Sequence, residues 1–155
     1  MAQVTNFPTA YYYSAANKMY NLDEGYVGEC TWYCHGRALE TVGKTDNLST
    51  GNARTWYSAA PVGSRRGPTS VPAVNSIACF DGNTTNPQGH VVFIESVVRR
   101  SSGEYYIGFS ECNWYSDDRL SNQQIETPPN GTDGQLKSMY FWNEFRSRGP
   151  GASKK

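Results

Sequence analysis

The second half of the chain carries a hairpin pattern that limits what it can become. His90 to Val98 (HVVFIESVV) is dense in β-branched residues, and Arg99-Arg100-Ser101-Ser102-Gly103 is a polar turn. Glu104 to Trp114 then returns as a second strand. Val71 to Phe80 ends in a further β-like run, and Met139 to Trp142 is placed to close the sheet. Ser121 to Gln135 is polar and rich in proline and glycine, so it reads as loop. The first half follows a helical pattern instead. Thr9 to Leu22 is an aromatic-rich helix after Pro8, Thr31 to Val42 a second helix stopped by Gly43, and Asn52 to Ala60 a short third ended by Pro61. Helices first and antiparallel strands second predict an α+β fold, with the N-terminal helices packed on a twisted antiparallel sheet.

With 155 residues there is room for one domain. We assign it to 1–146 and read 147–155 (SRGPGASKK) as a flexible tail or linker. Lys and Arg total 14 against 14 Asp and Glu, which excludes binding nucleic acid or an anionic membrane by bulk charge. Aromatics reach 14% while charged residues are only 18%, the reverse of a disordered chain. No apolar run approaches a bilayer span, and the N-terminus lacks a signal peptide's basic start and apolar middle.

Four cysteines and two histidines narrow the chemistry. Cys30 and Cys34 sit one helical turn apart, where disulfide geometry is rare, and Cys30, Cys34 and His35 lack the second ligand pair of a zinc site. Cys30 differs from the other three. It follows Gly28-Glu29 and opens a helix, where unpaired N–H groups and the helix dipole favour negative charge on sulfur. Cys34 is one turn further in, Cys79 lies in an apolar run, and strand alternation turns Cys112 to the core.

A nucleophilic thiolate needs a proton shuttle. His35 lies five residues after Cys30, about 140° around the helix axis, and points away from it. His90 instead opens a strand directly after Gly89, and glycine lets a backbone approach closely there. In Ser110-Glu111-Cys112-Asn113-Trp114, Glu111 and Asn113 share one strand face. Either is placed to accept from the histidine Nδ1–H and fix the ring. Trp114 and Trp32 are the candidate walls of a substrate groove, with a buried core tryptophan as the competing reading.

These segments occur in the order of a known family. Gly28-Glu29-Cys30-Thr31-Trp32-Tyr33, Gly51-Asn52-Ala53 with Trp56, Pro72 to Ala78, Gly89-His90-Val91-Val92 and Ser110-Glu111 with Asn113 together resemble a CHAP domain. CHAP denotes a cysteine, histidine-dependent amidohydrolase/peptidase, a papain-like group related to the NlpC/P60 enzymes. The resemblance runs from about Gly25 to Trp142. It implies a peptidoglycan hydrolase of the sort found in phage endolysins and bacterial autolysins, either an N-acetylmuramoyl-L-alanine amidase or a stem or cross-bridge endopeptidase. It also implies Cys30 as nucleophile, His90 as general base and then acid, and Glu111 as the residue orienting His90, with Asn113 sharing that role.

Two positions depart from the family pattern. Glu29 stands where the family commonly has Gln, and a carboxylate cannot donate to an oxyanion, which leaves that task to the Cys30 N–H and a second donor. Some phage members bind calcium in the loop before the cysteine. Here that loop offers Asn21, Asp23 and Glu24, too few for a cation that takes roughly six to eight oxygens, so no cofactor is expected beyond a weak calcium candidate near Asp23. The expected partners are the peptidoglycan substrate and a fused or separate wall-binding module, with the chain itself a monomer. Its expected place is the bacterial wall, reached from host cytoplasm through a holin or in a virion. A non-catalytic wall- or glycan-binding module, prompted by 11 Tyr and 4 Trp, is the alternative. A redox protein using Cys30 and Cys34 ranks last, since their spacing is not C-x2-C.

Overall fold

Asn17 divides the helix expected over 9–22 into two. Its Oδ1 accepts from the backbone N–H of Met19 and Tyr20, so it caps a new helix instead of continuing the old one. Its Nδ2 donates to the carbonyls of Tyr11 and Trp32, which satisfies the buried amide. The result is α1 (Thr9–Tyr12) followed by α2 (Lys18–Leu22). The long helix α3 spans Cys30–Thr41, and Val42 and Gly43 both donate to the Ala38 carbonyl to end it. A tight 3-10 turn at Ala53–Thr55 leads into the short α4 (Trp56–Ala59). In the computed structural model, residues 7–66, 71–80, 87–101 and 105–113 are described in full, and 120–127 and 139–142 as backbone.

Among the described residues, six strands form one sheet: β1 (Arg65–Arg66), β2 (Ile77–Phe80), β3 (His90–Arg99), β4 (Tyr105–Cys112), β5 (Leu120–Thr127) and β6 (Met139–Trp142). Their order is β1-β6-β2-β3-β4-β5, and every pairing is antiparallel. The architecture is α+β, as the sequence pattern implies. A strand expectation fails as well. The stretch 121–135 reads as loop, yet Leu120–Thr127 pairs along the whole of β4 as an outer strand. A strand at the margin of a sheet has a partner on one side only and can be built from polar residues that carry little apolar periodicity.

Helix α3 lies against one face of the sheet. Its Trp32, Tyr33, Cys34 and Ala38 join Tyr12, Met19, Ile77, Cys79, Val91, Phe93 and Cys112 in the larger core. Gly36 allows this packing: a Cβ there would fall 2.1 Å from the Tyr12 ring, so any side chain would force α1 away from α3. The other sheet face carries a smaller, wholly apolar cluster of Ala78, Phe80, Val92, Ile94, Ile107 and Phe109.

Candidate active site

Three elements converge on one cleft. The first is the N-terminus of α3, where Cys30 is the first helical residue and Glu29 the N-cap. Glu29 makes no side-chain cap bond, so the first-turn N–H groups keep their outward donor capacity. The second is the start of β3. Gly89 has φ +74°, and a Cβ there would lie 2.6 Å from the Phe80 carbonyl oxygen and 2.9 Å from the Arg54 backbone. Only glycine fits both restraints. The Arg54 N–H donates to the Gln88 carbonyl at 2.8 Å, which seats the residues before His90 on the 53–55 turn. The third element is the end of β4, which delivers Glu111.

His90 and Glu111 meet as a buried pair. His90 Nε2 lies 2.7 Å from Glu111 Oε1, with His90 at 6% and Glu111 at 0% exposure. The sequence reading assigned this bond to Nδ1. The structure corrects it, because the His90 ring presents Nε2 to the carboxylate and leaves Nδ1 as the nitrogen available to sulfur. Burial alone would pull the His90 pKa down. The charge of Cys30, its hydrogen bond and the Glu111 carboxylate outweigh burial and raise it to about 9. So held, the His90 ring is an imidazolium at neutral pH.

The cleft around this group encloses about 450 Å³ and is lined by Cys30, His90 and Asn113 together with Tyr26, Asn52 and Gln88, among others. Asn52 stands in a motif legible in the sequence; Gln88 does not, since it sits in a polar turn that looks like ordinary loop. Asn113 lies just past β4 with φ 73°, and its Nδ2 is 3.5 Å from Glu29 Oε1. It therefore flanks the cleft beside Glu29, while Glu111 is the residue bonded to His90 Nε2.

Trp32 is not a groove wall. It is 1% exposed, packs at tilted angles among Phe7, Tyr12 and Tyr13, and donates its indole N–H to the Tyr12 carbonyl at 2.8 Å. The i+2 position turns it away from the helix face that Cys30 presents to the cleft. Trp114 lies outside the described residues. His35 is fully buried, with Nε2 donating to the Ser49 carbonyl at 2.9 Å, and burial lowers its pKa to about 4, so it stays neutral. All four cysteines are free thiols, and burial pushes the Cys34 thiol up, so it stays protonated. Asp23 Oδ1 accepts from the Gly25 N–H at 2.8 Å, capping the turn at Glu24–Tyr26. Among the described residues no group of three or more His, Cys, Asp or Glu is arranged to hold a metal ion.

A family model described as CHAP domain matches residues 20–113, which is well over half of the chain and contains Cys30, His90, Glu111 and Asn113. The chain belongs to the CHAP domain family. No curated protein matches it. Among solved structures, one described as the crystal structure of Ly7917 with the hydrolyzing product of MDP aligns at TM-score 0.47 and 17% identity. That alignment covers 75% of this CHAP chain and 54% of the other, so the chain spans about half of that solved protein's length.

Proposed function

We propose that this CHAP domain is a peptidoglycan hydrolase, cleaving an amide bond of the stem or cross-bridge, or the muramoyl-L-alanine link, through a thioester on Cys30. The observation that carries the reading is the buried His90–Glu111 pair, 2.7 Å across, in the cleft that Cys30 also lines.

The chemistry follows from these atoms. The Cys30 thiolate attacks the amide carbonyl carbon and forms a C–S bond, while the carbonyl oxygen takes up the electron pair. The Cys30 N–H at the open first turn of α3 is a donor for that oxyanion. Collapse of the tetrahedral species breaks the C–N bond, and the His90 imidazolium gives its Nδ1 proton to the leaving amine. Neutral His90 then takes a proton from water, which attacks the thioester and returns Cys30 to the free state. Throughout, Glu111 holds the ring and stabilises its charged form.

Part of the aromatic content that prompts a sugar-binding alternative is committed to packing. Tyr12, Trp32, Tyr33 and Trp56 are all buried. The decisive experiment digests purified Gram-positive peptidoglycan with wild type and Cys30→Ala and reads products by mass spectrometry. Fragments formed only by wild type support the reading, and their new termini name the bond as amidase or endopeptidase. Equal products from Cys30→Ala would overturn it.

A further inference from the structure

Six side chains join α3 to the sheet through one continuous run of hydrogen bonds that the hydrolysis itself does not use. Tyr33 Oη donates to Ser110 Oγ at 2.7 Å, and Ser110 Oγ donates to Glu95 Oε2 at 2.6 Å. Arg37 grips the same carboxylate with two bonds, Nε to Oε2 at 2.8 Å and Nη2 to Oε1 at 2.9 Å. Its Nη1 continues to Glu40 Oε1 at 3.0 Å, which also accepts from Tyr12 Oη at 3.0 Å. Burial works against the Arg37 charge, but Glu95 and Glu40 outweigh it and hold the guanidinium firmly protonated. The side chains of Arg37 and Glu95 are only 12% and 4% exposed.

Strand alternation from Phe93 turns Glu95 toward α3. Ile94 pairs with Phe109 and Ser96 with Gly108, so β3 holds one residue more than β4 at Glu95. A bulge therefore sits at the residue that Arg37 grips. An apolar filling would stabilise the contact as well as a buried ion pair does, since desolvation offsets most of the Coulomb gain. What directional bonds add is a fixed register between helix and strand.

That register matters at two sequence neighbours. Tyr33 lies one turn after Cys30 on α3, and Ser110 immediately precedes Glu111 on β4. One hydrogen bond therefore spans the gap between the turn bearing the nucleophile and the strand residue bearing the histidine's partner. We propose that the Tyr33–Ser110–Glu95–Arg37 run is a positioning device that holds Cys30 in line with His90 and Glu111. The proposal rests on the reading of those three as one reacting unit. Sliding or rolling α3 enough to part Cys30 from His90 breaks the Tyr33–Ser110 bond, and a displacement of about 1 Å costs on the order of a hundredfold in rate.

The test uses the full chain carrying Tyr33→Phe, Ser110→Ala, both together, and Tyr12→Phe. The last removes the hydroxyl of another buried tyrosine at the far end of the run, away from Glu111. Three quantities are measured: kcat and KM on soluble wall fragments, the melting temperature, and the iodoacetamide alkylation rate of Cys30 from about pH 5 to about pH 10, with the modified cysteine located by peptide mass mapping. Tyr33→Phe is expected to lower kcat about tenfold with KM within about twofold, and to slow Cys30 alkylation below neutrality about fivefold. The double variant should lose no more than Ser110→Ala, because Ser110→Ala already breaks the bond that Tyr33→Phe removes. Tyr12→Phe should melt earlier yet keep wild-type kcat and alkylation.

Variants that melt earlier but keep wild-type kcat and alkylation profile would overturn the proposal. If Ser110→Ala fails to fold, Tyr33→Phe, which lacks only one oxygen atom, decides alone. If wild type itself digests no wall, the alkylation profile still judges the positioning: a slowing in Tyr33→Phe upholds it and an unchanged profile sinks it, while the hydrolase reading fails separately.

Discussion

The two faces of the sheet solve opposite problems with the same strands. The face away from α3 is filled by Ala78, Phe80, Val92, Ile94, Ile107 and Phe109, with no polar side chain in the cluster. The face toward α3 mixes Ile77, Val91 and Phe93 with Cys79, Cys112, Ser110 and the Arg37–Glu95 pair. Strand β4 serves both sides by alternation. Ser110 turns to the helix and Glu111 to His90, which stands opposite Phe80 at the margin of the apolar cluster. The dry face tolerates any well-packed set of apolar groups, whereas the helix face depends on particular atoms. Stability and reactivity should therefore respond differently to damage on each side.

The largest effect belongs to the reacting atoms. Cys30→Ala is expected to reduce wall digestion by about 10⁴-fold or more while the melting temperature stays near wild type, measured by product release and calorimetry. Replacing Glu111 with Gln should lower kcat by about 10²- to 10³-fold. It should also move the alkaline limb. His90 has its folded value raised to about 9, so its stabilising charge is fully present below its ordinary value and disappears as pH rises through about 9. Wild-type hydrolysis should decline over that window, and Glu111→Gln should shift the decline to lower pH. An unmoved limb would break the link between Glu111 and the ring.

On the helix face, Glu95→Ala leaves the largely buried Arg37 with its Glu40 bond still made and should cost about 3 kcal/mol in urea unfolding. His35 gives a smaller effect of opposite sign to His90. Its folded value is lowered to about 4, so the unfolded chain takes up the proton first, and stability falls as pH drops from about 6.5 to about 4. The loss is about 3 kcal/mol at most, and His35→Gln should flatten that slope in unfolding curves measured at both ends. A slope that persists in the variant would place the acid sensitivity elsewhere. On the dry face, Ile107→Val should cost about 1 kcal/mol and leave kcat alone.

What the sequence disclosed is local. The start of α3 at Cys30 and the strands at His90 and Tyr105 follow from glycine placement and β-branched density. The gathering of Cys30, His90 and Glu111 at one end of the sheet was legible because each sits at or near the end of an element. The histidine nitrogen facing Glu111 was not, since it depends on a ring rotation fixed by tertiary contacts. Trp32 was misplaced because a tryptophan beside a nucleophile looks like a groove wall until the helix phase is combined with Tyr12 and Phe7. The charged Glu95, set within the apolar run HVVFIESVV, was the visible trace of the clamp. Its partner Arg37, in mid-helix, looks like any solvated cation. The polar strand β5 lacked any periodic trace at all.

The contact at Gly89 has a consequence for anyone redesigning the cleft. With the Arg54 backbone so near that a Cβ at Gly89 would meet it at 2.9 Å, the floor of the cleft and the backbone that carries His90 are one mechanical part. A loop graft at Gly51–Arg54 intended to admit a wider peptide would also tilt His90. Altered selectivity and lost turnover would then arrive together, from a single shim in the wrong place.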